Sequence, residues 1–149
     1  MIENLTYEDF DRIVKLENIC FEHDAFTPSF FEELFSDERV IFLGIKIDNE
    51  LAAMTMFYNW EGLNDYVKII SMSVHPNHRH NGFASLLMSK MIEFAKEHHL
   101  IKLSAETRKS NNAMQSIFEK FNCKLEYEVI DYYDNPNENA YRYTCYLDT

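Results

Sequence analysis

Glycine and proline are scarce, with three of each in 149 residues. A chain so built has few places for left-handed or kinked backbone, which favours long regular elements and makes each Gly and Pro informative. Cysteine is equally sparse. Cys20, Cys123 and Cys145 are odd in number and far apart, so neither a disulfide framework nor a CxxC zinc pattern is indicated, and each is expected as a small buried hydrophobe. No apolar run approaches the roughly 18 residues of a membrane span, and the N-terminus lacks the basic and apolar regions of a signal peptide. Basic residues are outnumbered, 14 Lys and Arg against 25 Asp and Glu, for a formal net charge of −11. That balance argues against a general nucleic-acid binder, whose affinity comes from cations on phosphates, and it leans towards cationic substrates. The expectation is a soluble, cytoplasmic protein, monomeric or homodimeric, with neither nucleic acid nor membrane as a partner.

What is present is a core-forming composition, 46% hydrophobic and 15% aromatic, in a chain of the length of one domain, here taken as residues 2–148. Thr6 and Asp9 resemble a capping box, followed by a helical stripe of Phe10, Ile13, Val14 and Leu16. Thr27 and Pro28 predict a second helix start. Val40–Ile47 and Leu51–Tyr58 read as strands joined by an Asp48-Asn49-Glu50 turn, and Tyr66–Val74 as the next strand, after a polar connection carrying Trp60. A helix over Gly82–His98 buries Phe83, Leu87, Met91, Phe94 and Ala95. Ile101–Thr107 is a short strand. A helix over Asn111–Phe121 turns Ala113, Met114, Ile117, Phe118 and Phe121 inward. Lys124–Tyr133 and Ala140–Leu147 form a closing antiparallel pair. With a short strand near Ile2–Leu5, the order predicts an α/β fold, a mixed and mostly antiparallel sheet flanked by helices.

One segment carries chemistry. A strand ends at Val74, Pro76 stops its ladder, and a polar loop leads into a helix with Gly82 in its first turn. Unpaired N–H groups at a helix start, with the positive end of its dipole, suit phosphate oxygens. Gly82 allows close backbone approach, and Arg79 can add a charge-assisted bond. Neither GxGxxG nor GxxxxGK[ST] is present. His75, His78 and His80 are read as loop histidines near phosphate, and no metal is expected.

The run Arg79-His80-Asn81-Gly82-Phe83-Ala84 matches R/Q-x-x-G-x-G/A, and Asn111–Cys123 resembles N-x-x-A-x-x-L-Y-E-K-x-G-F. Both are similar to motifs of the GNAT (GCN5-related N-acetyltransferase) superfamily. The resemblance implies a GNAT-type fold and transfer of an acetyl group from acetyl-CoA to a primary amine of a small molecule or protein. It implies that Met72, Ser73 and Val74 pair with the pantetheine arm. Backbone N–H groups of Arg79, His80, Asn81, Gly82, Phe83 and Ala84 would hold the pyrophosphate, and Asn111 would contact the pantetheine. Glu106 stands where ribosomal-protein N-terminal acetyltransferases of the superfamily carry their base. Phe118 stands at the position of the family's proton-donating Tyr, and Asn122 replaces its Gly. Because Phe118 has no proton to give, two alternatives stay open: a catalytically weak acyl-CoA-binding or sensing module, and a structural interaction domain.

Overall fold

The computed structural model describes residues 1–21, 24–59, 65–134 and 136–147. The chain begins with strand β1 (Ile2–Asn4), helix α1 (Phe10–Cys20) and helix α2 (Pro28–Phe35), followed by β2 (Val40–Ile47), β3 (Glu50–Tyr58) and β4 (Tyr66–Val74). It then runs through α3 (Phe83–Glu97), β5 (Lys102–Arg108), α4 (Asn112–Lys120), β6 (Lys124–Tyr133) and β7 (Glu138–Tyr146). The seven strands form one sheet in the order β1-β2-β3-β4-β5-β7-β6, antiparallel except for β4 against β5.

Local chemistry accounts for the ends of these elements. The Thr6–Asp9 capping box is present, but it caps a 3-10 turn over Tyr7–Asp9 that leads into α1. Thr27 accepts from the Phe30 amide, with Pro28 opening α2. Asp48 and Asn49 both take positive φ, 52° and 67°, as a tight two-residue hairpin requires. Asn122, at φ 61°, supplies the left-handed turn after α4 in place of glycine. The connection carrying Trp60 lies largely outside the described residues.

Two apolar layers clasp the sheet. Ile13 and Leu16 of α1 and Phe31 and Leu34 of α2 pack on Phe42, Met54 and Met56. Phe83, Leu87, Met88 and Met91 of α3 pack on Ala53, Phe57, Val67 and Ile69. Strand β3 is covered on both faces, which is why Leu51–Phe57 is almost unbroken in apolar residues rather than alternating.

Three expectations are corrected. Cys123 and Cys145 are not independent hydrophobes. They are joined in a disulfide across the start of β6 and the end of β7, next to the Lys124↔Thr144 pair. Ala113 of α4 is exposed, and among the predicted inward residues of that helix only Phe118 is fully buried, because the helix face opens on the cleft described below. Gly82 precedes α3 as its N-cap instead of sitting in its first turn.

Candidate active site

The site originates in a defect of the sheet. Ser71 pairs with Met56 and Ile69 with Phe57, so Ile70 is an extra residue on β4. A bulge of this kind bends its strand. Beyond it β4 leaves β5: the parallel pairing ends at Lys68↔Ser104, and among the described residues the β5-facing edge of Ser71–Val74 has no strand partner. Two confluent cavities, of about 600 Å³ and about 420 Å³, open along this divergence. They share Cys20, Phe21, Met72, Asn111 and Met114 as a common wall.

The larger cavity lies over the β4–α3 loop. Pro76–His78 forms a 3-10 turn, capped by the His75 ring, whose Nδ1 accepts from the Asn77 amide at 3.0 Å. Asn81 Nδ2 donates to the His78 carbonyl at 3.2 Å, and Arg79 Nε donates to the Val74 carbonyl at 3.3 Å. His80 and Gly82 both take positive φ, 67° and 77°. The ladder of α3 starts with the Leu86 amide on the Gly82 carbonyl at 3.0 Å. The N–H groups of Phe83, Ala84 and Ser85 therefore lack intrahelical acceptors. Beyond its chain neighbours, no atom of the described residues stands within 4 Å of where a Gly82 Cβ would be, so this start of the helix is open to an anion. A diphosphate fits such a cradle in charge and in donors.

Of the ten residues expected to bind coenzyme A, the walls of this cavity include nine: Met72, Ser73, Val74, Arg79, His80, Gly82, Phe83, Ala84 and Asn111. Asn81 is not in that wall, and its side chain closes the loop onto the His78 carbonyl. Asn111 caps α4, its Oδ1 accepting from the Met114 amide at 3.1 Å, and it lines both cavities. Lys120 reaches Ser85 Oγ at 2.9 Å on the rim.

The smaller cavity is bounded by α1, the segment before α2, β4, β5 and Tyr133. Phe118 lies at its floor, 2% exposed and stacked on Tyr143 with ring centroids 4.8 Å apart. Glu106 also borders it, but its carboxylate is held between Lys68 and Arg142, the latter at 2.9 Å. Burial opposes its ionisation, yet the two cations prevail and hold its pKa below the usual carboxylate value. Of the six tyrosines between positions 127 and 146, Tyr133 alone is in the cavity wall. Burial raises its pKa to about 12, so it stays protonated.

Two further groups had not been singled out from the sequence. Arg108 grips Asp24 in a bidentate pair at 2.5 and 2.7 Å, and also binds Glu138 and the carbonyls of Asp134 and Pro136. It ties the segment before α2 to the β6–β7 turn across the end of the cavity. Glu17 is only 1% exposed, and burial raises its carboxyl to about 7. One oxygen accepts from the Phe26 amide at 3.0 Å, while Oε1 has no partner among the described residues. The signal was available: Phe10, Ile13, Val14 and Glu17 occupy i, i+3, i+4 and i+7, so a carboxylate completes an apolar stripe.

Comparisons with known proteins agree with this geometry. The profile of the acetyltransferase (GNAT) family matches residues 7–122. A Bacillus subtilis (strain 168) protein, whose name marks it as a provisional [ribosomal protein bS18]-alanine N-acetyltransferase, is 27% identical over 139 residues, covering 93% of this chain and 90% of its own. The [ribosomal protein bS18]-alanine N-acetyltransferase of Haemophilus influenzae is 26% identical over 144 residues, covering 93% of each chain. Among solved structures, the ribosomal-protein-S18-alanine N-acetyltransferase of Escherichia coli superposes with a TM-score of 0.90 at 17% identity, over 100% of this chain and 94% of that one. Ard1 of Thermoplasma volcanium gives 0.87 at 15%, over 100% and 98%. The helix-flanked mixed sheet, its split at β4 and β5, the open helix start and the family match together identify the chain as a member of the acetyltransferase (GNAT) family, an N-acetyltransferase that uses acetyl-CoA as its co-substrate.

Proposed function

We propose that the acceptor is the N-terminal α-amine of a protein, and specifically the alanine at the start of ribosomal protein bS18. The observation that carries this reading is the similarity to two proteins named for that activity, each over 93% of the chain. Two properties support it. The smaller cavity is open to solvent beside an acidic carboxylate, so a chain end can enter while the rest of the polypeptide stays outside. The net charge of −11 draws a cationic partner towards the enzyme.

In this reading the N–H groups from Arg79 to Ala84 hold the pyrophosphate, the free edge of Met72–Val74 pairs with the pantetheine arm, and the Asn111 NH2 group donates to it. The thioester then lies at the common wall, facing the amine in the smaller cavity. Phe118 offers no proton to the departing sulfur. A thiol ionises near pKa 8.5, so the thiolate is a tolerable leaving group near neutrality and takes its proton from water or from the amine.

The test is mass spectrometry of a synthetic peptide carrying the alanine-initiated N-terminus of bS18, incubated with enzyme and acetyl-CoA. One acetyl group on the α-amine is the expected product, and a peptide blocked at that amine should stay unmodified. Acetylation confined to lysine side chains, or none, would refute the proposed acceptor.

A further inference from the structure

Three carboxylates border the acceptor cavity; Asp24 is tied to Arg108, and the surroundings of the other two assign them opposite tasks. Glu106 has both oxygens committed, one to Lys68 and one to Arg142. Its charge is already balanced, so it can take a proton only by giving up an ion pair. Glu17 has one oxygen fixed by the Phe26 amide, which sets the plane of the carboxyl, and a second with no partner among the described residues. It lies with Cys20 and Phe21 on the α1 side of the cavity, close to the common wall. An unpartnered buried carboxyl oxygen costs free energy unless something arrives to bond it.

We propose that Glu17 receives the ammonium of the acceptor in the smaller cavity and takes its proton before the attack, while Glu106 remains a fixed charge beside it.

The proposal rests on the acetyl-transfer reading of the cleft and deepens it. The other titratable groups on this cavity do not compete for Glu17. Asp24 is paired with Arg108, Glu106 with Lys68 and Arg142, Tyr133 stays protonated, and the Cys20 thiol is pushed up by burial. Among the described residues no ion pair holds Glu17. Burial is what raises its pKa, against the smaller lowering by the Phe26 amide. The resulting value of about 7 is close to that of an α-ammonium, about 7.7–8.0, and far from the ~10.4 of a lysine side chain. Proton transfer from an α-ammonium is therefore nearly level, whereas from lysine it is strongly uphill.

The step balances as follows. One N–H bond of the bound ammonium breaks and its proton passes to Glu17 Oε1. The lone pair so released forms the C–N bond to the thioester carbonyl carbon. The C–S bond breaks and coenzyme A leaves as the thiolate. The nitrogen loses its second proton as the amide forms, the thiolate becomes a thiol, and one proton in all is released to water.

Steady-state kinetics of the wild type, Glu17→Gln, Glu17→Asp and Glu106→Gln, from about pH 6 to about pH 9, test this on the alanine-initiated peptide. Glu17→Gln should lower kcat/KM about 10²-fold near neutrality and erase the ionisation near pH 7, with the KM for acetyl-CoA unchanged. Glu17→Asp should keep that ionisation at a reduced rate, and Glu106→Gln should keep it as well. A wild-type pH profile in Glu17→Gln, or its loss in Glu106→Gln alone, overturns the proposal. A second measurement stands apart from the acceptor's identity. Carbon-13 NMR of the side-chain carboxyls, with Glu17 assigned by its absence in Glu17→Gln, should show its midpoint falling when methylammonium is added. If saturating methylammonium leaves that midpoint in place, Glu17 does not receive the ammonium, whichever peptide is acetylated. If the peptide is untouched but the midpoint falls, the acceptor assignment fails and the role of Glu17 stands.

Discussion

Glu17 and Glu106 lie along one cavity, yet their environments drive them apart in acidity, with a consequence for stability as well as for chemistry. The folded protein holds the Glu17 proton at a pKa of about 7, against an ordinary value near 4.5 in the unfolded chain. Since the native state binds that proton more tightly, the stabilisation is complete below pH ~4.5 and is lost as pH rises through about 7. Glutamine has no proton to lose. The stability of Glu17→Gln relative to the wild type should therefore climb by roughly 3 kcal/mol between about pH 4 and about pH 9. Any offset from the unpartnered amide NH2 is independent of pH. Urea unfolding at a series of pH values measures this directly, and a difference that stays flat with pH would show that the wild-type carboxyl is not raised. Glu106 runs the other way: with its pKa lowered, its contribution is present above its unfolded pKa and is lost as pH falls. A buried carboxyl whose ionisation erodes the fold as pH rises towards neutrality is the pattern of a group retained for activity.

At the scale of elements, the β4–α3 connection is the decisive piece. Gly82→Asp places a side chain at φ 77°, which costs about 1–2 kcal/mol, and puts a negative charge at the open start of α3. The expected outcome is a folded protein, slightly less stable, that no longer binds coenzyme A in calorimetry. Wild-type affinity in that variant would mean that the pyrophosphate lies elsewhere. This loop was legible in the sequence because its function is written in local backbone chemistry: Pro76 ends a ladder, Gly82 permits a left-handed residue, and a helix must expose its first amides. Strands such as Val40–Ile47, Tyr66–Val74 and Lys124–Tyr133 were legible to their end residues, because β-branched and aromatic runs stop where turn residues begin. What escaped depends on pairings between distant segments. The extra residue at Ile70 exists only relative to β3, and the Cys123–Cys145 bond only relative to the β6–β7 register. Ala113 looks like core by period, but the neighbour it faces is a cleft. Glu17 was visible as a break in a stripe, but its missing partner could be seen only once α1 was packed against β4.

For the molecule as a whole, the sheet is continuous through all seven strands while its middle is wedged open, so the site is a gap in the scaffold rather than a hollow in a loop. The two cavities are not separate rooms: Cys20, Phe21, Met72, Asn111 and Met114 belong to both. Whatever settles on one side of these residues fixes the shape met on the other. A shared wall is the physical route by which the binding of two substrates can be coupled, and such coupling is reciprocal. We expect coenzyme A to tighten the acceptor peptide by about tenfold, and the peptide to tighten coenzyme A by the same factor, within the ~5–150-fold range of such effects. Calorimetric titrations in both orders check this, and equal affinities with and without the second ligand would refute it. With tenfold coupling an acceptor beside the nucleotide is held about ten times more tightly than one bound alone, so the cell's ratio of acetylated to free coenzyme would decide how often the acceptor is held beside a thioester and how often beside a spent thiol.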